Sequence, residues 1–455
     1  MGLNMNKIVV RNIVFLWLAW VLIVIGFQAL ATARFQPHWP DLTQWAPGAS
    51  TEPDDFEKGH PYLTEPFMNN QVTWDSEPYI GISIGGYEDP CISVTYPSIM
   101  QSGHPMVLRC TDTTNHGSEK PIILSYAFFP FYPFLIHLFS IPLSLLHLNP
   151  IATATLAGVM VSALGALAAM LALYDLTYEA LGEEGAMRAV FYLLIFPTSF
   201  YFAQVYTEGL FVGLAFSCLA MLKRKHLVYA ALLGAAATLT RAVGIMLIIP
   251  MAISWITTRE WYELDLEWNQ IYFNFKRLPW RPIWHALLAF TPLIVYLIWK
   301  FSYYGASFEY VETIYFGRAP LDIGKGFTYW ASVFYETVIA NLFNLPRLGG
   351  ANSDWNPVLT ANYLIEFGCM AVGFPAIIRC LKTDPEVAWF SLAAFLVAWI
   401  SGPPGIHRYM LVAPAIFITL ARWGKNPVFD RAWTIASLLL MGLLTILFAF
   451  NFWVA

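Results

Sequence analysis

Residues 124–150 read LSYAFFPFYPFLIHLFSIPLSLLHLNP. The run is apolar and long enough to cross hydrocarbon about 30 Å thick. Yet Pro130, Pro133 and Pro142 interrupt it and His137 and His147 add polarity. A proline inside a helix removes a hydrogen bond and clashes with the preceding turn. Whether this run crosses the membrane or lies at its face reverses the sidedness of everything that follows. We read it as an amphipathic or re-entrant element at the membrane face.

The positive charges of the later loops support that choice. Lys223, Arg224 and Lys225 form one short cluster; Arg259, Lys276, Arg277 and Arg281 form another. Short loops rich in Lys and Arg belong in the cytoplasm. Tracing back from Lys223, the run 208–222 enters from outside, 188–203 exits, and 151–174 runs inward. DLTYEALGEEGAMR (175–188) is then cytoplasmic, and the proline-rich element and residues 71–90 are external. Tracing forward, 228–239 exits, 244–256 returns and 283–301 exits again. The segment 302–357, with an interfacial helix expected in GFTYWASVFYETVIANLFNLP, is external. The runs 358–378, 387–400, 410–420 and 434–453 complete an all-α polytopic membrane protein of about 11 spans.

Composition agrees with a membrane class. The chain has 455 residues, of which 58% are hydrophobic and only 12% charged, against about 25% charged in soluble domains. Its formal net charge of −5 and lack of a basic stripe speak against a nucleic-acid partner. The N-terminus has Lys7 and Arg11, an apolar run and small residues at Ala29, Ala31 and Ala33. That pattern fits a signal peptide, but the apolar run is long for one, and we read an uncleaved first helix. Five cysteines occur, with no CxxC and no zinc-type His/Cys spacing. Cys91 and Cys110 share one polar loop. A disulfide between them is expected if that loop is extracytoplasmic, and two free thiols are the alternative.

The traced topology gathers unusual polar groups on one face. QVTWDSEPYIGISIGGYEDP (71–90) carries Trp74, Asp75, Ser76, Glu77 and Tyr87. Tyr206, Thr207 and Glu208 lie at a second outer turn, Arg241 at a third, and His407 and Arg408 at a fourth. Each has an ordinary reading. Asp75 or Ser76 caps a short helix, Glu208 complements a helix dipole, the arginines snorkel to headgroups, and His407 is a satisfied polar residue. Together they suit chemistry: paired arginines hold a lipid phosphate, and a carboxylate serves as general base on a sugar hydroxyl.

These stretches resemble, in order, the motifs of the PIG-V-like mannosyltransferases. WDSEPYIGISIGGY (74–87), AFFPFYPFLIHLFS (127–140), FPTSFYFAQVYTEGLF (196–211), LLGAAATLTRAVGIMLIIP (232–250) and HRYMLVAPAIF (407–417) carry the resemblance. It implies a GT-C glycosyltransferase fold and inverting transfer of a mannose from a polyprenyl or dolichyl phosphate to a glycan or glycolipid outside the cytoplasm. It places Asp75 as the expected base. Glu77, which follows it, departs from the family pattern and is an alternative base or a partner that raises the Asp75 pKa. Glu208 falls at the family's second acidic position, and Arg241 and Arg408 at basic positions suited to the donor phosphate. Trp74, Tyr87, Tyr206 and His407 complete the expected substrate contacts. No cofactor is required, and a divalent metal is compatible with the chemistry.

The expected organisation is a first helix (1–31), an external loop with the catalytic motif (32–150), a helical core (151–301), a second external loop (302–357) and C-terminal helices (358–455). The alternative function is a lipid-linked sugar transporter or flippase, which would want charges on both faces. The membrane expected is the plasma membrane of a prokaryote or the endoplasmic reticulum of a eukaryote. The chain has no Asn-x-Ser/Thr sequon, compatible with a prokaryotic source.

Overall fold

The structure, a computed structural model, describes residues 6–34, 61–89, 91–92, 94–95, 122–257, 280–314, 323–343, 345, 357–401, 405–450 and 454. Helix α1 (Lys7–Arg34) is unbroken. Phe15, Leu22, Ile23 and Leu30 on it are exposed, whereas Val9, Ile13, Trp20 and Val24 face the bundle. One polar residue of α1 is fully buried: Gln28 donates to the Asn70 carbonyl (3.1 Å) and accepts from Gln71 (2.9 Å) and Gln204 (3.1 Å). That network is how the first helix holds the loop bearing Asp75.

The proline-rich element folds as α3 (Phe131–Leu143), preceded in the chain by α2 (Ser76–Gly85). With 13 residues α3 is about 20 Å long, too short to cross about 30 Å of hydrocarbon. Next comes α4 (Pro150–Leu194), 45 residues, bent at Gly182, whose φ of 69° is left-handed and suits glycine. Helix α5 (Glu208–Lys223) packs back on α4. Here the sequence E-G-L-F-V-G matters. A Cβ on Gly209 would strike the Ser162 carbonyl, and one on Gly213 the Gly165 carbonyl. Small residues let two helices touch backbone to backbone, and this contact fixes Glu208 beside the loop.

Among the described residues the remaining helices of ten residues or more are α6 (Leu227–Thr238), α7 (Ile248–Thr257), α8 (Trp280–Ala289), α9 (Thr291–Lys300), α10 (Gly305–Ile314), α11 (Ile323–Phe334), α12 (Pro357–Cys380), α13 (Pro385–Ser401), α14 (Pro414–Trp423) and α15 (Pro427–Ala449). The stretch expected to be an interfacial helix is helical over Ile323–Phe343, through a π-helical turn at Tyr335–Ile339.

The expectation of about 11 full spans is not confirmed. Among the described residues four helices are long and apolar enough to cross a membrane, or five if the pair Ile283–Ala289 and Thr291–Lys300, bent by 59°, counts as one. Those helices make the chain an integral membrane protein. Of the other apolar runs, some are continuous but shorter helices, such as Pro385–Ser401 with 17 residues, and some are broken. The run expected over 188–203 stops as a helix at Leu194 and continues as a 3-10 turn at Ser199–Ala203. The run 244–256 begins as a 3-10 turn, and 410–420 is a 3-10 turn followed by the ten residues of α14. Proline and polar residues inside these runs keep backbone groups from continuing the α ladder. The breaks leave non-helical backbone buried within the protein, where it finds partners.

Candidate active site

Two sequence motifs meet at this site and lock each other. Ser76 is fully buried. Its hydroxyl accepts from the Thr73 N–H (3.1 Å) and donates to the Val205 carbonyl (3.1 Å). The Val205 N–H donates to the Gln71 carbonyl (3.0 Å). Tyr206 donates its phenol to the Thr73 carbonyl (3.1 Å), and Ser162 donates to the Tyr206 carbonyl (2.5 Å). Trp74 holds a left-handed φ of 49°, a conformation uncommon for a bulky residue and strained unless its surroundings impose it. The bonds on either side of Trp74 impose it. They turn the chain so that Asp75 starts α2.

Asp75 sits at the N-cap position of α2 but makes no capping bond with its side chain. The capping reading therefore fails for Asp75. It fails for Ser76 too, whose hydroxyl ties the loop to the chain before α5. The Asp75 side chain is 36% exposed, with Oδ2 3.6 Å from Arg408 Nη1.

Behind Asp75 lies a buried charge cluster. Glu208 is 1% exposed and forms ion pairs with both arginines: one with Arg241 Nη1, and one with Arg408 Nε at 3.3 Å. Arg241 also donates to the Thr207 hydroxyl (3.1 Å). The guanidinium of Arg241 lies 5.0 Å from the Tyr409 ring centre, and that of Arg408 5.5 Å from Tyr201 and 5.7 Å from Tyr206. Such stacking desolvates a guanidinium while keeping it electrostatically satisfied. The arginines are thus paired and buried, at 13% and 8% exposure, and do not snorkel.

Asp75, Arg241 and Arg408 all line one cavity of about 440 Å³. Tyr79, Thr240, Tyr409, Lys300, Glu309 and Glu312 line it as well. Burial, and then the neighbouring Asp75 charge, push the Tyr79 phenol up, so it stays a hydrogen-bond donor. Tyr79 follows Asp75 by four residues and Tyr409 follows Arg408 directly. Both sit inside stretches the sequence reading quoted, and helical spacing was the signal that would have found Tyr79. Glu208 stands behind the cavity as the group holding the arginines.

Other expected contacts lie elsewhere. Glu77 is 4% exposed and outside the cavity lining. Tyr87 donates to the Phe128 carbonyl (2.8 Å) and stacks on Tyr304 with ring centres 4.5 Å apart. Trp74 and Tyr206 likewise do not line the cavity. His407 points into the protein: Nε2 lies 2.7 Å from the Val454 carbonyl and Nδ1 3.6 Å from Glu366 Oε1. Glu366, 1% exposed, also accepts from the Gly405 N–H (2.6 Å). The sequence reading missed Glu366, a lone acid inside an apolar helix. Cys91 is disulfide-bonded; Cys110, its expected partner, lies outside the described residues, as do Arg259, Lys276 and Arg277. Among the described residues no group of three or more His, Cys, Asp or Glu side chains is placed to hold a metal ion.

Comparisons with known proteins bear on this site. The sequence model of the mannosyltransferase (PIG-V) family matches residues 107–311. No curated protein matches the chain. Among solved structures, ArnT from Cupriavidus metallidurans, bound to undecaprenyl phosphate, is similar at 15% identity and a TM-score of 0.43, over 80% of this chain and 59% of that one. The archaeal oligosaccharyltransferase AglB from Archaeoglobus fulgidus, in complex with an inhibitory peptide and a dolichol-phosphate, is similar at 14% identity and a TM-score of 0.41, over 96% of this chain and 56% of that one. The chain thus spans less than two thirds of the length of either. The family match covers Glu208 and Arg241, whereas Asp75, His407 and Arg408 fall outside it. Over residues 107–311, less than half of the chain, the sequence is similar to that of the mannosyltransferase (PIG-V) family.

Proposed function

We propose that the protein transfers mannose from a polyprenyl or dolichyl phosphate to a hydroxyl of a glycan or glycolipid, with inversion, at the extracytoplasmic face and within a GT-C arrangement. The observation that carries this reading is the shared cavity: a half-exposed carboxylate, Asp75, and two buried arginines, Arg241 and Arg408, line the same space. The family match supports the sugar, and the cationic loops at the other end of the helices support the face.

In this reading the donor phosphate meets Arg241 and Arg408, whose fork-like guanidinium groups suit phosphate oxygens. Glu208 keeps both in place before the donor arrives. The acceptor hydroxyl approaches Asp75, which takes its proton. The acceptor oxygen forms a bond to the anomeric carbon on the side opposite the phosphate, and the bond from that carbon to the phosphate oxygen breaks. Charge that builds on the leaving phosphate is stabilised by the arginines.

Asp75→Asn tests the base. Incorporation of labelled mannose from polyprenyl phosphate mannose should fall about 10²- to 10⁴-fold, the usual range for loss of general base catalysis. The variant should still elute as a single species in detergent. Turnover near wild type would remove Asp75 from this role. Glu77→Gln, whose site lies off the cavity, is expected to retain transfer, and its loss would reopen the choice of base.

A further inference from the structure

A third cation lines the cavity, and its setting differs from that of the arginines. Lys300 ends α9, and its ammonium pairs with Glu309 Oε2 at 3.2 Å. Their side chains are 42% and 63% exposed. Exposed pairs of this kind contribute little and exchange readily, whereas Arg241 and Arg408 are held by the buried Glu208. Tyr296, one turn before Lys300, lines the cavity too. A neighbouring face of the same helix is apolar and open: Ile294, Leu297, Ile298 and, just beyond α9, Phe301 are 37%, 39%, 68% and 80% exposed. Their spacing of i, i+3, i+4 and i+7 makes one stripe. Between the two faces, Trp299 is buried against Tyr87 and Phe129, which fixes the helix end to the first loop. The stripe therefore leads along a helix of a candidate span to a cation at the cavity.

We propose that α9 is the rail by which the donor lipid reaches the cavity: its prenyl tail lies along the Ile294–Phe301 stripe, and its phosphate displaces Glu309 from Lys300 before it reaches the arginines. The proposal rests on the reading that the donor is a lipid phosphate. Charge complementarity selects the occupant. An ammonium held by an exposed carboxylate suits a compact phosphate as a point charge, although Glu312 lines the cavity as well and the phosphate must outcompete both acids; an exposed apolar stripe suits an isoprenoid chain. An uncharged lipid would have no reason to displace Glu309.

The test is binding by the full chain in detergent, followed by intrinsic tryptophan fluorescence. The probes are undecaprenyl phosphate, short-chain citronellyl phosphate and inorganic phosphate. Lys300→Gln should weaken both lipid phosphates about tenfold, and Lys300→Arg should restore most of that loss. Ile298→Asn should weaken undecaprenyl phosphate alone, by a few fold, because only the long chain reaches along the stripe. Unchanged undecaprenyl phosphate affinity in Lys300→Gln overturns the proposal, as does an intact chain-length preference in Ile298→Asn. Inorganic phosphate binding as tightly as undecaprenyl phosphate would also overturn it, by leaving the tail no part. Mannose transfer is measured separately. A wild-type protein that transfers nothing yet shows these binding shifts sinks the transfer reading and keeps the rail. Transfer by the wild type with no binding shift in either variant does the reverse.

Discussion

Helix α5 carries an ion-pair cluster at each end, and the two are built differently. At its start Glu208 holds Arg241 and Arg408, all three nearly sealed from solvent. About 24 Å along the helix, Arg224 pairs with Asp175, and Lys223 with Glu179 at 3.0 Å. There the exposures are 24% and 19% for the first pair, and 35% and 77% for the second. Nearby Arg188 donates to the Ala421 carbonyl, and Arg422 pairs with Asp384 at 3.0 Å. The second cluster is partly open to water, and its Lys223–Glu179 pair, the more exposed of the two, is worth about 0–1 kcal/mol. The first is nearly closed to it. Its charges were taken out of water at a cost that ordinary folding does not require, next to a cavity. Identical pair chemistry thus marks a site at one end and a solvated face at the other.

The largest expected effect comes from breaking the buried cluster at its centre. Glu208→Ala leaves two guanidinium groups without their shared carboxylate. Loss of one partner of a buried pair costs about 3–5 kcal/mol, so thermal unfolding in detergent should shift sharply and transfer should be lost. A melting point equal to wild type would show that the two ends of α5 are energetically alike. Next in size is Arg408→Lys, which keeps the charge but removes the fork. We expect donor kcat/KM to fall about tenfold or more with a much smaller loss of stability. Equal loss of donor and acceptor kcat/KM would argue that Arg408 does not meet the donor in particular.

His407 and Glu366 sharpen the comparison from behind the cavity. Both are about as buried as Glu208 and, like it, do not line the cavity. They hold the turn Gly405–Arg408, since Glu366 takes the Gly405 N–H and the Thr198 hydroxyl donates to the His407 carbonyl (3.1 Å). Positioning, not substrate contact, is the role this geometry gives them. Glu366→Gln should lower donor kcat/KM about fivefold, equivalent to about 1 kcal/mol. In an Arg408→Lys background it should add little, because residues acting through one group are not additive. Full additivity in that double-mutant cycle would separate Glu366 from the donor site.

The sequence made the membrane class, the proline-broken α3 and the grouping of Asp75, Glu208, Arg241 and Arg408 legible. Those features depend on local chemistry: proline spacing, cationic loops and charged residues at the ends of apolar runs. It left the number of full spans unconfirmed, because apolar composition does not say where a helix stops. The 3-10 turns at Ser199–Ala203 and Ala242–Leu247 are imposed by tertiary bonds such as Val205 to Gln71. Tyr87 and His407, expected at the substrate, lie off the cavity lining. An aromatic or a histidine inside a motif reads the same whether it faces substrate or braces a neighbour, and only packing distinguishes the two. Glu366 was invisible for a related reason, since its partners Gly405 and His407 are distant in the chain; Lys300 gains its meaning only from packing that sets it at the cavity.

The smallest expected effect lies at the far end of α5. Arg224→Ala removes the Asp175 pair, but both groups reach solvent. Stability should drop by less than in Glu208→Ala, and the drop should shrink at high salt, which screens charges that reach solvent more than buried ones. Transfer at saturating donor should stay at the wild-type rate, since the change lies about 24 Å along the helix from Glu208. The same salt series on Glu208→Ala should leave its loss of stability nearly constant. The contrast between the two salt dependences is the direct measure of the difference between the clusters. Equal salt sensitivity at both ends would mean that water reaches Glu208, and the case for a dry phosphate-binding pocket around Arg241 and Arg408 would have to be abandoned.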